Sequence, residues 1–476
     1  MPLINRIVCL TFHLLVICQL LSRNNLLTPN YLQVFLLTLF LEYMTTSSKH
    51  NQGVRNRMVF SAIISSVVFA VHSVHVEAVT GVVGRAESLG AAFSILFVFT
   101  AIAANHLLSS FARVLAYSVA AALFFLGAFS KETAATALGI VGFYDLLYIT
   151  LPVVSMSLQF SGHTPRPRQG TLSPIRQIRS DPSSRTHHKD YWKAASSIWC
   201  FFVRSLYLVL LLVGYIAFRI YLMSDTFHFE DVTLSQSQLI RRTENPFHFL
   251  EDRTSRLLSK LYVQVRYALL LLYPQDLCCE WSYNCIPAIQ TISDPRNLIT
   301  LTLFMTILYL FFSNFKLAKP SGVIPLALLW IVLTHLPGSG LILIIGTLVA
   351  ERLLYLPSVG YCILIGNIVS KALYQKKENK KVTDYTEVAA KTSTQSQSRS
   401  RLELSRSAQS SRIFSLRTTT AKIVFILLIA YCVWLSQRTV KRNKDWETDG
   451  TLFISALDVC PTSSKIQRQV GVVRKT

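Results

Sequence analysis

The sequence predicts an all-α polytopic membrane protein, and three observations carry that reading. Of its 476 residues, 51% are hydrophobic and 15% charged, where an ordinary soluble domain carries about 25% charged residues. Runs of roughly 18 or more mostly apolar residues recur along the chain, the length at which a helix crosses hydrocarbon. The runs do not alternate over about ten residues, as the strands of a membrane barrel do.

Charge and cysteine usage exclude other classes. The formal net charge is +22, which in a soluble protein would direct attention to nucleic acid. Here Lys and Arg gather between the apolar runs, as the positive-inside rule expects, and no aromatic-interleaved basic patch argues for RNA or DNA. The nine cysteines include no CxxC pair and no zinc-type His/Cys cluster, so no metal is expected. Cys278, Cys279 and Cys285 share one loop. Adjacent cysteines pair poorly, so a bridge from Cys285 to one of the other two is expected if the loop is luminal.

Residues 1–152 read as an N-terminal membrane half. The apolar run 4–21 is a signal-anchor, a span or an interfacial helix, with no small-residue cleavage signature after it. A second run covers 31–43. Lys49, Arg55 and Arg57 then occur without an acid, which marks a cytoplasmic segment. The run 58–70 crosses outward, 91–104 returns, 114–129 crosses out again and 133–151 returns. Asp145 reads as a helix-end residue. Residues 153–195 are basic and rich in Pro and Ser, the composition of a disordered cytoplasmic linker.

The C-terminal membrane half is 196–370. A clear span at 198–222 enters a luminal loop, 223–297, expected to hold one amphipathic helix. The short apolar stretch 261–273 reads as interfacial or re-entrant. Runs at 298–312, 323–334 and 341–367 follow. Residues 371–420 are a second basic, low-complexity cytoplasmic linker, 421–436 a last span and 437–476 a luminal tail. The total is roughly 9–11 membrane helices.

Charges inside or beside spans are costly and mark candidate sites. His72, His75, Glu77, Arg85 and Glu87 fall within the 70–90 stretch, AVHSVHVEAVTGVVGRAESLG. Lys131-Glu132 and Glu351-Arg352, with Tyr355, form further clusters on the same predicted side, and Glu280, Trp281 and Arg296 lie in the middle loop. Acids beside bases at a membrane surface suit an anionic lipid head group, because guanidinium presents a planar fork to phosphate and ammonium a point charge. A carboxylate could also serve as general base for a hydroxyl acceptor. The plainer readings are an interfacial Lys131-Glu132 pair, a structural Glu351-Arg352 pair and hydrogen-bonding histidines without a third metal ligand.

Several of these stretches carry a resemblance. VHSVHVEAV at 71–79 with GRAE at 84–87 resembles the HPVHTEAVxxxxGRAE/D signature of the transmembrane and tetratricopeptide-repeat O-mannosyltransferase family. Ser130-Lys131-Glu132 is similar to its SKE motif, and Tyr144-Asp145-Leu146 to its YDL. Glu280-Trp281-Ser282 is similar to its DWS, and AERLLYLPS at 350–358 to its AERxLYLPS. Arg442 to Trp446, with Cys460-Pro461 beyond, resembles the passage into the family's first repeat. The resemblance implies a GT-C type transferase of the endoplasmic reticulum membrane. Such an enzyme moves mannose from dolichyl-phosphate mannose to Ser or Thr of secretory-pathway proteins, cadherins among them. It implies Arg85, Lys131 and Arg352 as phosphate candidates and Glu77 and Glu87 as support for the sugar.

The chain departs from the pattern. The family's first span and acidic luminal loop, which supplies the catalytic carboxylate, have no counterpart before Glu42, so the catalytic residue is unassigned. Ser73 and Val76 replace the usual Pro and Thr. The tail has about the length of one repeat, roughly 34 residues. A truncated or catalytically inactive module that binds lipid-linked sugar or partner proteins is therefore the second reading. A transporter is the third, disfavoured because the charges sit at span ends rather than at the midplane.

Overall fold

The computed structural model describes residues 27–46, 51–161, 182–224, 243–315, 322–343, 345–376, 412–414 and 419–473. The apolar run at 4–21 lies outside them. Eight helices among the described residues are long and apolar enough to cross a membrane, and two shorter apolar helices accompany them, in line with the predicted all-α polytopic class.

Helix α1 (Leu27–Thr45) packs against α2 (Gln52–Val71). Asn51 caps α2, its Oδ1 accepting the Gly53 N–H at 2.9 Å and the Val54 N–H at 3.3 Å, which satisfies donors a helix start leaves open. The six-residue α3 (His75–Thr80) leads to α4 (Arg85–Ala104), and α5 (Ser110–Ser130) returns alongside it. The next span begins with a 3-10 turn at Glu132–Thr136, continues through α6 (Ala137–Tyr144) and a π-helical turn at Asp145–Thr150, and ends in α7 (Leu151–Ser161).

Asp145 is not at a helix end. It lies within this continuous span, and Arg204 on α8 (Pro182–Ser224) donates to its two carboxylate oxygens at 2.5 and 2.7 Å. A charge inside a span needs such a partner, and the π turn sits where the pair forms. Helical structure also reaches into the expected 153–195 linker from both sides, up to Ser161 and again from Pro182. Residues 162–181 lie outside the described set.

The middle loop holds α9 (Arg253–Leu272), one helix where the sequence suggested an amphipathic helix followed by a separate apolar stretch. Asp252 caps it by accepting the Ser255 N–H at 2.8 Å. Then come α10 (Arg296–Asn314), α11 (Ile324–His335), a 3-10 turn at Glu351–Leu354 and α12 (Tyr355–Leu373). Tyr374–Lys376 (β1) pairs antiparallel with Arg412–Phe414 (β2). The last span, α13 (Thr419–Asp445), is followed by α14 (Asp449–Val459) and α15 (Ser464–Val473).

Burial separates centre from periphery. In α4, 83% of the apolar window is buried, and 78% in Glu351–Leu373, against 6% in α10 and 11% in α8 and α13. Helices α4 and α12 are thus the axis of the bundle. Gly366 lets α12 lie directly on α2, since a Cβ there would be 2.5 Å from the Ser61 carbonyl oxygen. At the end where α2 starts, buried Arg57 meets buried Glu42 at 3.0 Å, and the Asn367 amide donates to the same carboxylate at 2.6 Å. Arg57 is therefore a paired interior cation.

The tail is docked on the middle loop. Cys285 is bonded to Cys460, 175 positions away, with Cα atoms 5.0 Å apart. This corrects the expected bridge within the loop, because the α14–α15 hairpin brings Cys460 to Cys285. Cys278 stays a free, buried thiol that donates to the Glu280 carbonyl at 3.2 Å. Ser282 and Ser463 hydroxyls meet at 3.0 Å, and Lys465 reaches Glu280 at 2.9 Å.

Candidate functional site

Chain direction brings the charged motifs to one end of the bundle. Helices α2, α5 and α13 finish there, while α4, the Glu132 turn and the Glu351 turn start there. Gly84 makes the turn between α3 and α4 possible: a Cβ at this position would be 2.5 Å from the Glu77 carbonyl oxygen and 2.6 Å from Ala78 Cα. The α3 turn can therefore fold back tightly and hold Glu77 inward.

Three buried carboxylates anchor the site. Glu77 accepts the Arg352 backbone N–H at 3.0 Å and its guanidinium Nη1 at 3.2 Å. Glu87 receives Lys131 Nζ at 2.8 Å and the Thr133 hydroxyl at 3.5 Å. Glu351, fully buried, receives Arg442 Nη2 at 3.2 Å and the Cys278 backbone N–H at 2.6 Å. The pairs share one field, since Arg352 also acts on Glu87 and Arg442 on Glu77. Burial raises the Glu77 carboxyl above its ordinary value, with Arg352 opposing that shift.

The exposure pattern is asymmetric. The Arg352 and Lys131 side chains are 32% and 25% exposed over acids that are 5% and 3% exposed. Their charged heads can meet an anion from outside while their countercharge sits beneath. Arg85 is exposed at the start of α4, without an ion pair among the described residues. Phosphate recognition by such cations is within the site's chemistry.

The histidines serve differently. His72 Nε2 donates to the Leu271 carbonyl at 2.9 Å, and burial lowers its pKa to about 4. His75 Nε2 meets the Ser358 hydroxyl at 2.8 Å and is lowered well below its ordinary value, first by burial and then by His72. Both are neutral near pH 7, so they supply no charge for phosphate. Tyr355 is fully buried with its ring 4.7 Å from His75 and belongs to this packing. No His/Cys/Asp/Glu group able to hold a metal occurs among the described residues.

Other candidates go elsewhere. Lys131 and Glu132 do not pair with each other, since Glu132 binds Arg219 at 2.7 Å. Glu351 and Arg352 likewise point to separate partners. Glu280 holds Lys465 in the docked tail, Trp281 is buried under Arg266, and Arg296 binds Asp294 at 2.6 Å and stacks on Tyr262. These three brace the middle loop. Arg442 was not among the sequence candidates for the site, although its motif was visible. Arg442 stands among Arg438, Lys441 and Lys444 at the end of the last span, so nothing local distinguishes it as the buried one.

The arrangement defines a polytopic helical membrane protein with a charge-paired site at one end of its bundle. Residues 235–309 match the family model described as Protein O-mannosyl-transferase TMTC, DUF1736. The chain is similar through most of its length to proteins of that name. It is 27% identical over 421 residues to human Protein O-mannosyl-transferase TMTC3, covering 86% of this chain and 37% of that protein. It is 28% identical over 423 residues to Drosophila melanogaster Protein O-mannosyl-transferase Tmtc3, covering 86% and 38%. It is 26% identical over 457 residues to mouse Protein O-mannosyl-transferase TMTC1, covering 85% and 43%. The chain thus spans well under half the length of these relatives. No solved structure matches it. The relatives bear out the family resemblance carried by the motifs.

Proposed function

We propose that the chain is the membrane part of an O-mannosyltransferase-type protein of the endoplasmic reticulum. It takes mannose from dolichyl-phosphate mannose toward Ser or Thr of secretory-pathway proteins, in a GT-C type bundle. The observation that carries this reading is the pair of partly exposed cations, Arg352 and Lys131, each seated on a buried glutamate at the same end of the bundle. Such a mouth suits the phosphate of a lipid-linked sugar, with the lipid chain remaining among the spans. The names of the relatives support the transfer reaction. The Cys285–Cys460 bond supports a luminal site, because disulfides persist in oxidising compartments.

A second reading follows from a specific observation. Glu77, Glu87 and Glu351 each carry a cation partner, and a carboxylate so engaged is a poor general base. On this reading the chain holds the lipid-linked sugar and chemistry depends on another group. Reconstitution with labelled dolichyl-phosphate mannose and Ser/Thr-rich acceptor peptides separates the two. Transfer of label to peptide supports the enzyme. Donor binding without transfer supports the holding module, and absence of both contradicts the family-based function.

A further inference from the structure

The end of α13 carries Arg438, Lys441, Arg442 and Lys444 beside the disulfide-linked loop and tail. Cations in this number suit the cytoplasmic end of a span, and the disulfide marks this as the oxidising end. Two of the four have structural partners. Arg442 pairs with Glu351, and Arg438 donates to the Pro274 and Gln275 carbonyls. Lys441 and Lys444 are exposed and have no ion pair among the described residues.

Helix geometry puts these lysines on a different face from Arg442. Val433, Val440, Lys441 and Lys444 follow one another at spacings of seven, eight and eleven from Val433, a single stripe on α13. Leu435 and Arg442 form the opposite, buried stripe. The exposed stripe lies across from Val67 and Val71 of α2, and the two helices enclose a lateral groove of about 620 Å³. Thr439 fixes their spacing by donating to the Val71 carbonyl at 2.8 Å. Four valines, Val67, Val71, Val433 and Val440, line the groove with Ser436 and Gln437, and Lys441 and Lys444 belong to the same lining. Its outward-facing residues are substantially exposed, with Val67 at 43%, Val433 at 50% and Val440 at 57%.

We propose that this groove is a binding site for an anionic glycerophospholipid of the surrounding leaflet, its acyl chain along the valines and its phosphate between Lys441 and Lys444. Charge complementarity selects the head group: each lysine near a membrane surface favours anionic lipid by about 1 kcal/mol. The groove faces out of the bundle, whereas Arg352 and Lys131 gather around the buried acids. The site is therefore separate from the proposed sugar-lipid mouth, and the inference does not depend on that function.

The test uses the full chain reconstituted in bilayer nanodiscs with equal phosphatidylglycerol and phosphatidylcholine, then released for native mass spectrometry. The wild type should retain phosphatidylglycerol preferentially. The double variant K441Q/K444Q should lose most of that preference, about thirtyfold from the two lysine terms, without losing phosphatidylcholine. V440W, which fills the groove but keeps both lysines, should also reduce phosphatidylglycerol retention several-fold. Equal retention of the two lipids by the wild type, or unchanged preference in K441Q/K444Q, would overturn the proposal.

Discussion

Glu77 and Arg352 lie 275 positions apart in sequence and meet through two hydrogen bonds, one to the backbone N–H and one to the guanidinium of the same residue. A single carboxylate thereby fixes both the start of the α12 segment and the direction of its exposed cation. The VHSVHVEAV stretch at 71–79 and the AERLLYLPS stretch become one site through this contact.

Removing either partner is therefore unequal. R352Q leaves Glu77 buried without its countercharge, whereas E77Q leaves a cation that can turn to water. Because Arg352 is a third exposed, screening reduces the usual cost of breaking a buried pair to about 1–3 kcal/mol for R352Q. E77Q should cost less. Thermal unfolding of detergent-solubilised single and double variants reads the order and the coupling, and independent, additive effects would contradict it.

A deeper pair joins α13 to the site. Arg442 and Glu351 are 1% and 0% exposed. Arg442→Met should destabilise by about 3–5 kcal/mol, because it strands the Glu351 carboxylate. Combining it with Glu351→Leu should restore part of that loss. A double variant less stable than Arg442→Met alone would show that the charges are worth more than an apolar contact here.

Much of this was legible from residues, and what was not has a physical reason. Apolar length pointed to the spans, and motif charges pointed to Glu77, Glu87, Lys131, Glu351 and Arg352, which the fold brings to one end of the bundle. Their partners were hidden, because an ion pair between distant segments leaves no local pattern. Glu351-Arg352 reads as a pair on the page, but successive residues of a 3-10 turn point to different neighbours. Cys285 reads as partner to its loop neighbours for the same reason, and only the α14–α15 hairpin delivers Cys460. Asp145 resembled a helix end because nothing near it announces Arg204.

The histidines give the fold a pH signature. His72 has a folded pKa of about 4 against an ordinary 6.5. The unfolded chain therefore takes up a proton that the folded chain refuses. The stabilisation is complete above pH 6.5 and is lost as pH falls toward 4, on the order of 3 kcal/mol at roughly 1.4 kcal/mol per unit. His72→Gln should flatten the decline of thermal stability across that window relative to wild type. An identical decline in the variant would contradict burial of a neutral His72.

Reduction should release the tail before the bundle. The Cys285–Cys460 bond closes a segment of 175 residues, and loop-closure entropy gives an upper figure of about 5 kcal/mol for such a link. In Cys460→Ser, limited proteolysis should cut first within 446–473, with the spans still protected. Protection of the tail equal to wild type would show that Lys465, Glu280 and the Ser282–Ser463 contact hold it without the disulfide.

The central claim is that the cations seated on Glu77 and Glu87 receive the phosphate of a lipid-linked sugar. The most direct measurement is photo-crosslinking of the reconstituted chain with a photoreactive dolichyl-phosphate mannose analogue, competed by unlabelled donor. The account predicts competable labelling near Lys131 and Arg352, reduced about tenfold or more in K131Q/R352Q, since one charge-assisted hydrogen bond contributes roughly 1.5–3 kcal/mol. Competable labelling that is unchanged in K131Q/R352Q would contradict it.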